Sequence, residues 1–470
     1  MSQISNLSTN TYKLYKRRWL VLAGYCILSL AVAPTSTCFT AVSNILQYYY
    51  DVPPISIHMS LMVFLVSCLL FTLPASFILH KYGLAVTLRM AAISNLIGCV
   101  IRYFAYLESY GVYLLLTGNS FSALSMAFYM FLITKIAANW FGEHEKGTVN
   151  GIGIGSHMIA SALGFIHSTY LINIKEKTHI ENGMKQVVLH QLIVGVIATV
   201  VTFTFVRSRP KTVPSLAEER LVSNNSSIST VDNNSANQTK LIVTKRRSWK
   251  QTNEKTFWES IKGLFKHKAF LVITHITSVT ATLEITYKLI LNDALTNIFP
   301  GKEKQIGIVG FIAVILGFFS NIVSGVVIDK TKAYKAVTCV TFLLTAIFIV
   351  TWMILIEFYH SFFAISAIYC CLLMTSISYH AVSTTHVAIV TYPTSAGTSN
   401  MLLFTIESFY SLLLSISASF LLTHVSIFYV NLVALLLTLA ASVAASLNNT
   451  TNENINKELF QNVETIEIDI

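Results

Sequence analysis

Four of the ionisable side chains inside long apolar stretches of the sequence draw attention first, because a charge is costly there. They are His157, Glu284, His380 and Glu407. A charged side chain at the centre of a bilayer costs about 3 kcal/mol or more, so such groups usually face a cavity in which they bind a substrate or carry protons. We therefore expect these four residues to line one site, with Glu284 or Glu407 making its activity sensitive to pH.

Glu284, in the stretch LEITYKLI, has a second interpretation. Lys288 follows it one helical turn later, where the two side chains can form an ion pair that serves packing alone. The sequence leaves both interpretations open. Glu407 has no basic residue near it in the sequence, which favours a functional role, whereas an isolated histidine such as His380 more often packs between helices. His157 adjoins Met158, and Met, His and carboxylate side chains together would suit a heme or metal-like ligand, although the spacing alone is weak support.

Other kinds of chemistry have little support. The seven cysteines are scattered through apolar runs without metal-ligand spacing. The glycine-rich run from Gly151 to Gly155 lacks the Gly-Lys-Ser/Thr sequence of a phosphate-binding loop. We therefore expect no catalytic centre, no metal and no cofactor, and the chain is not predicted to be an enzyme.

The composition explains the setting of these residues. Of the 470 residues, 54% are hydrophobic and 11% are charged, and the mean hydropathy is +0.62, as is typical of a polytopic membrane protein. Apolar runs of about 20 residues or more, long enough to cross a bilayer, occur at twelve places. These predicted spans cover residues 19–47, 57–79, 84–107, 112–138, 148–173, 187–206, 269–297, 305–328, 336–357, 361–390, 397–422 and 425–447.

The spans fall into two groups of six. They predict an N-terminal half at residues 19–206 and a C-terminal half at residues 269–447. Residues 207–268 are rich in Ser, Asn, Lys and Arg and have too little apolar content to form a core, so we expect a largely disordered linker there. Residues 1–18 and 448–470 form two tails.

Basic residues predict the orientation. They precede span 1, fill the turns between spans 2 and 3 and between spans 8 and 9, and are frequent in the linker, whereas opposite loops such as YYYDVPPISIH carry almost none. Because Lys and Arg concentrate in cytoplasmic loops, both tails and the linker are predicted to be cytoplasmic. The net charge of +10 then reflects orientation and attraction to anionic lipid, and a nucleic-acid partner is not expected.

Two pairs of turns match at nearly the same spacing along the chain, which indicates an internal repeat. HKYGLAVTLR after span 2 corresponds to DKTKAYKAVT after span 8, and Gly147-Thr148 corresponds to Gly397-Thr398. Two six-helix halves of one topology are the parallel repeats of the major facilitator architecture. The turns after spans 2 and 8 resemble its gating loops, although a histidine stands where the first copy usually has an acid. The candidate gating residues are His80, Lys81, Gly83, Gly325, Asp329, Lys330 and Lys332.

Four motifs carry a closer resemblance. YKRRWLVL, ANWFGEHEKGT, SGVVIDKTKAYK and VAIVTYPTSAGTSNMLL resemble the feline leukaemia virus subgroup C receptor-related family of major facilitators, over most of the membrane portion. The resemblance implies movement of heme or of a choline- or ethanolamine-like amine. Choline-transporting members are understood to hold the cation between a tryptophan on span 1 and a tyrosine on span 7, helped by a glutamine on span 5. The matching positions here are Ser36, Leu283 and Met158, with Tyr287 nearby.

The sequence therefore predicts an all-α integral membrane protein with twelve transmembrane helices. We expect a secondary transporter of a small organic solute that works by alternating access, and the alternative is a transporter-derived receptor or sensor that does not transport. The expected location is the plasma membrane, with an endomembrane as the alternative. The candidate substrate-binding residues are Ser36, His157, Met158, Leu283, Glu284, Tyr287, His380 and Glu407.

Overall fold

The fold is helical throughout the part of the chain that is described. The computed structural model describes residues 15–107, 110–142, 145–172, 177–210, 254–331, 333–391 and 396–447. In these ranges the regular elements are all helices. Twelve of the resulting segments are long and apolar enough to cross a membrane. The predicted all-α fold with twelve spans is confirmed.

The N-terminal half contains spans 1 to 6. Span 1 is interrupted near Pro34, and it consists of Arg17–Val32, Pro34–Cys38, a short 3-10 helix at Thr40–Val42, and Ser43–Tyr50. Proline cannot supply a backbone N–H, so a break at this position is expected. Spans 2 to 6 are Pro54–Tyr82, Leu84–Tyr103, Gly111–Tyr129 continued by Leu132–Trp140, Lys146–Leu171, and Lys177–Phe205.

The C-terminal half contains spans 7 to 12. These are Lys268–Thr296, Glu303–Thr331, Tyr334–Ile354 with a π-helical turn at Leu355–Tyr359, Phe362–Val390, Ala396–His424, and Ile427–Leu447. Span 7 is 78% buried over its most apolar stretch, against 28% for span 12. Span 7 therefore lies at the centre of the bundle and span 12 at its periphery. We call the end at which spans 1 and 7 begin the basic end, and the opposite end the far end.

One helix lies inside the segment predicted to be a linker. Glu254–Lys266 is helical, and its buried Ile261 and Leu264 pack with Phe270 of span 7 and with residues of span 11. These two side chains are three residues apart, so they lie on one face of the helix. Residues 211–253 are outside the described part of the chain, and disorder there stays a prediction.

The two halves meet along a seam that includes spans 5 and 8. Gly310 of span 8 lies against the ring of Phe165, because a Cβ atom at Gly310 would be 2.6 Å from that ring. On the other side, a Cβ atom at Gly155 of span 5 would be 2.7 Å from the ring of Phe318. Small residues allow helices in a membrane to approach closely. The seam is therefore packed through reciprocal aromatic–glycine contacts.

Candidate functional site

Glu284 on span 7 is buried and paired. It accepts a hydrogen bond from Lys288 Nζ one turn further along the helix, and its Oε2 lies 2.7 Å from His380 Nε2 of span 10. Glu284 and Lys288 are each only 9% exposed. The ion pair with Lys288, one of the two sequence interpretations, is thus present, and His380 completes it. We call Glu284, Lys288 and His380 the central cluster.

The central cluster balances its own charge. One carboxylate is matched by one ammonium and by one ring nitrogen of His380. Removing a single partner from such a buried pair leaves an uncompensated charge, which is strongly destabilising. A substrate cation would have to displace Lys288 to bind Glu284, so Glu284 is poorly placed to be the main cation-binding group.

Glu407 on span 11 is different, because its carboxylate has no partner among the described residues. It is 5% exposed and makes no hydrogen bond or ion pair there. It lies within electrostatic range of His380 and Glu284. A buried carboxylate without a counterion is costly at membrane depth. Glu407 is therefore the member of the predicted site at which a bound positive charge would be most stabilising.

His157 is the residue of the N-terminal half that lies near the central cluster. Its Nδ1 lies 2.9 Å from the hydroxyl of Tyr129 on span 4. Its ring is within electrostatic range of Lys288 and Glu284 across the seam. The structure therefore brings together the four ionisable residues that the sequence singled out, with His157 on one side of the seam and the other three on the opposite side.

The residues at the positions mapped from the family resemblance pack locally and are not part of the central cluster. Ser36 Oγ donates to the carbonyl of Ala33 in its own helix at 2.8 Å. Leu283 is fully buried in the core of the C-terminal half, and Met158 packs against that core. Tyr287 is 1% exposed, and its hydroxyl donates to Asn431 Oδ1 at 3.0 Å. Leu283 and Tyr287 thus pack within the C-terminal half.

The gating loops are only partly described. Gly83 adopts a φ of 83°, the left-handed region that favours glycine, and Lys81 Nζ lies 5.5 Å from the ring centroid of Tyr82. Gly325 is partly buried and Lys330 is exposed. Lys332 and the side chains of His80 and Asp329 are outside the described residues. A gating role for these loops stays a prediction.

A second buried polar cluster joins the two halves at the far end, and none of its members was among the predicted site residues. His58 of span 2 is fully buried, with Nε2 2.7 Å from Asp293 Oδ2 of span 7 and Nδ1 2.7 Å from Ser419 Oγ of span 11. Asp293 also accepts hydrogen bonds from Ser43 and Gln47 of span 1. We call these five residues the far-end cluster.

Span 1 contacts span 7 through the segments that follow its break. Asn292 Nδ2 donates to the carbonyl of Ala41 at 2.8 Å, and Asn292 Oδ1 accepts from the backbone N–H of Asn44 at 3.2 Å. At the rim, Asn44 Nδ2 donates to Glu303 Oε1 at 3.3 Å. A sequence signal for this contact existed, because Asn292 and Asp293 are consecutive polar residues inside predicted span 7.

No metal centre is formed by the described residues. Within the described ranges, no group of three or more His, Cys, Asp and Glu side chains could hold a metal ion.

Comparison with known proteins agrees with this architecture. Residues 24–418 match the family model described as Major Facilitator Superfamily. An uncharacterized MFS-type transporter of Caenorhabditis elegans is 22% identical over 393 residues, which cover 83% of this chain and 62% of the relative. The choline/ethanolamine transporter flvcr2a of Danio rerio is 24% identical over 340 residues, which cover 72% of this chain and 66% of the relative. The resemblance to the feline leukaemia virus subgroup C receptor-related family is therefore confirmed. The chain spans less than two thirds of the length of either relative.

A solved structure shows the same fold. The crystal structure of a bacterial homolog of the human lysosomal transporter Spinster matches 95% of this chain and 99% of its own length, with 12% identity and a TM-score of 0.67. At this identity the match supports the fold alone.

Proposed function

Because the chain belongs to the Major Facilitator Superfamily, we propose that this multi-pass membrane protein transports a small organic cation of the ethanolamine or choline class. The superfamily consists of transporters and not enzymes, so an enzyme is excluded as expected. The observation that carries the proposal is the unpartnered carboxylate of Glu407. An ammonium group would supply the missing positive charge, and a hydrogen bond to a charged group contributes about 1.5–3 kcal/mol.

The charge of the site favours an amine over heme. Glu284 is already matched by Lys288 and His380, so Glu407 contributes the net negative charge. The two propionate groups of heme would meet this charge unfavourably, since like charges repel strongly at low dielectric.

Among amines, the site favours a primary ammonium. Choline cannot donate hydrogen bonds from its quaternary nitrogen and relies on cation–π contacts with aromatic rings. The residues at the mapped cage positions are Ser36, Leu283 and Met158, none of which is aromatic. Ethanolamine, by contrast, can donate charge-assisted hydrogen bonds to a carboxylate. We therefore expect ethanolamine to be preferred over choline.

The far-end cluster is the proposed gate of an alternating-access cycle. Its contacts link Ser43, Gln47 and His58 of the N-terminal half to Asp293 and Ser419 of the C-terminal half. A substrate passing between the halves at the far end would require these contacts to separate. The opposite state would require opening at the basic end, where the candidate gating loops lie.

Proton coupling is a further part of the proposal. A carboxylate that binds an ammonium group also binds a proton, so the two can compete for Glu407. Exchange of this kind would make uptake depend on a pH gradient across the membrane. Uptake that stays constant when the gradient is reversed would contradict coupling and leave the amine-binding proposal intact.

Uptake into proteoliposomes tests the function. We expect purified protein to accumulate labelled ethanolamine above empty liposomes, choline more slowly, and heme not at all. Accumulation of heme without either amine would contradict the proposal. Thermal stabilisation by ethanolamine without any accumulation would instead support a receptor or sensor. Location in the plasma membrane stays a prediction, which surface labelling of intact cells would check.

A further inference from the structure

We propose that a cleft on the outside of the N-terminal half, at the basic end, binds the headgroup of an anionic phospholipid. The cleft has a volume of about 600 Å³ and lies between the start of span 1 and the end of span 6. It is lined by Lys16, Arg17, Trp19, Leu20, Thr204 and Phe205. It is separate from the central cluster, because it opens at the bundle surface and not along the seam.

The two cations of the cleft are not matched by a carboxylate in the part of the chain that the structure describes. Arg17 donates to the backbone carbonyls of Thr204 and Phe205, each at 3.4 Å. These carbonyls lie at the last turn of span 6. Lys16 forms no ion pair with a described residue. A guanidinium group has five N–H donors, so Arg17 can bond these carbonyls and a phosphate at once.

Arg18, the next residue along, shows the contrast. Its guanidinium group binds Glu145 through two hydrogen bonds of 2.8 and 2.9 Å, and it stacks over the Phe141 ring at 5.3 Å. The charge of Arg18 is therefore neutralised within the N-terminal half. Lys16 and Arg17 line the cleft instead, where a bound anion would neutralise their charges.

The apolar lining selects a lipid over a free phosphate ester. Trp19 is 46% exposed, Leu20 is 45% exposed and Phe205 is 39% exposed. Tryptophan is enriched where a membrane meets water, with its ring at headgroup level. A lipid would place its phosphate on the two cations and its acyl chains along these side chains. A soluble phosphate would use the cations alone.

Anionic lipid in nanodiscs provides the test. We expect phosphatidylglycerol, added to phosphatidylcholine nanodiscs, to raise the melting temperature of the full chain and to be retained in native mass spectrometry. The double variant Lys16→Gln, Arg17→Gln should lose both effects while melting like the unaltered chain in phosphatidylcholine alone. The control variant Lys262→Gln, Lys266→Gln removes the same charge from the exposed face of the linker helix at the same end, and should retain them.

A second variant tests whether the double variant acts only by removing the contacts of Arg17 with span 6. Thr204→Glu leaves both cations in place and adds a negative charge to the exposed lining of the cleft, so it should also abolish retention of phosphatidylglycerol. Equal retention in the cleft variants and the control would overturn the proposal. Stabilisation by soluble glycerol phosphate equal to that by the lipid would overturn it as well, since a free phosphate ester would then suffice.

Discussion

The central cluster and the far-end cluster both depend on a carboxylate of span 7, but they serve different interfaces. Glu284 is matched within its own half, by Lys288 and His380. Asp293, further along the same helix, is matched across the seam by His58. The first group can move with the C-terminal half as a rigid unit, whereas the second has to separate when the halves part at the far end.

This difference assigns separate roles to two acids that look alike in sequence. A carboxylate whose partners lie in one half contributes to folding and to the electrostatics of the site. A carboxylate whose partners lie in the other half contributes to the balance between conformations. Glu407 belongs to neither group, because no described residue neutralises it, and this leaves it free for a ligand.

The largest effect is expected from breaking the central cluster. Lys288→Met leaves Glu284 buried without its ammonium partner, which costs about 3–5 kcal/mol. The purified protein should melt at a clearly lower temperature and transport poorly. The double variant Glu284→Gln, Lys288→Met removes both charges and should recover most of the lost stability. Equal melting temperatures for the single and double variants would show that the pair is not a balanced unit.

A smaller and different effect is expected at the far end. Asp293→Asn weakens charge-assisted hydrogen bonds across the seam, worth about 1.5–3 kcal/mol, with little loss of stability within either half. A cysteine introduced at Ala41, which is 2% exposed, should then react about tenfold faster with a membrane-impermeant thiol reagent. The chain carrying the Ala41 cysteine alone gives the background rate, to which the native cysteines contribute.

The double variant Glu284→Gln, Lys288→Met, which removes both charges of the pair, is the matched control in the same cysteine background. It alters a carboxylate of the same helix whose partners lie within one half, so the labelling rate should stay near the background. An equal increase in both variants would contradict the separation of roles between the two clusters.

The smallest effect is expected at the rim of the far-end cluster. Glu303→Gln keeps an oxygen that can accept the 3.3 Å hydrogen bond from Asn44, and the contact is only partly buried. A surface contact of this kind is worth about 0–1 kcal/mol, so labelling of the Ala41 cysteine should change by about fivefold or less. An increase as large as that of Asp293→Asn would extend the gate to span 8.

Local patterns in the sequence predicted the spans and one of the two clusters. Hydropathy is a property of contiguous residues, so the twelve spans could be recognised directly. The pair of Glu284 with Lys288 was visible because it obeys helical spacing. The linker helix was missed because the average composition of its segment is polar, although Ile261 and Leu264 form an apolar face that packs on the C-terminal half.

The far-end cluster could not be predicted in the same way. His58 and Asp293 are remote in sequence and meet only because span 2 packs across the seam against span 11, the neighbour of span 7. The contact also depends on the break of span 1 near Pro34, which precedes the segment carrying Ser43 and Gln47. Such a pairing follows from tertiary geometry, which no spacing rule along one helix provides.

The role of Glu407 as the cation-binding carboxylate is tested most directly by calorimetric titration of ethanolamine into the purified protein. Glu407→Gln should weaken binding about tenfold or more, because a charge-assisted contact of about 1.5–3 kcal/mol is lost. Glu303→Gln, which changes an acid outside the site, should bind ethanolamine like the unaltered chain. Unchanged affinity in Glu407→Gln would contradict the proposed site, even if uptake were lost.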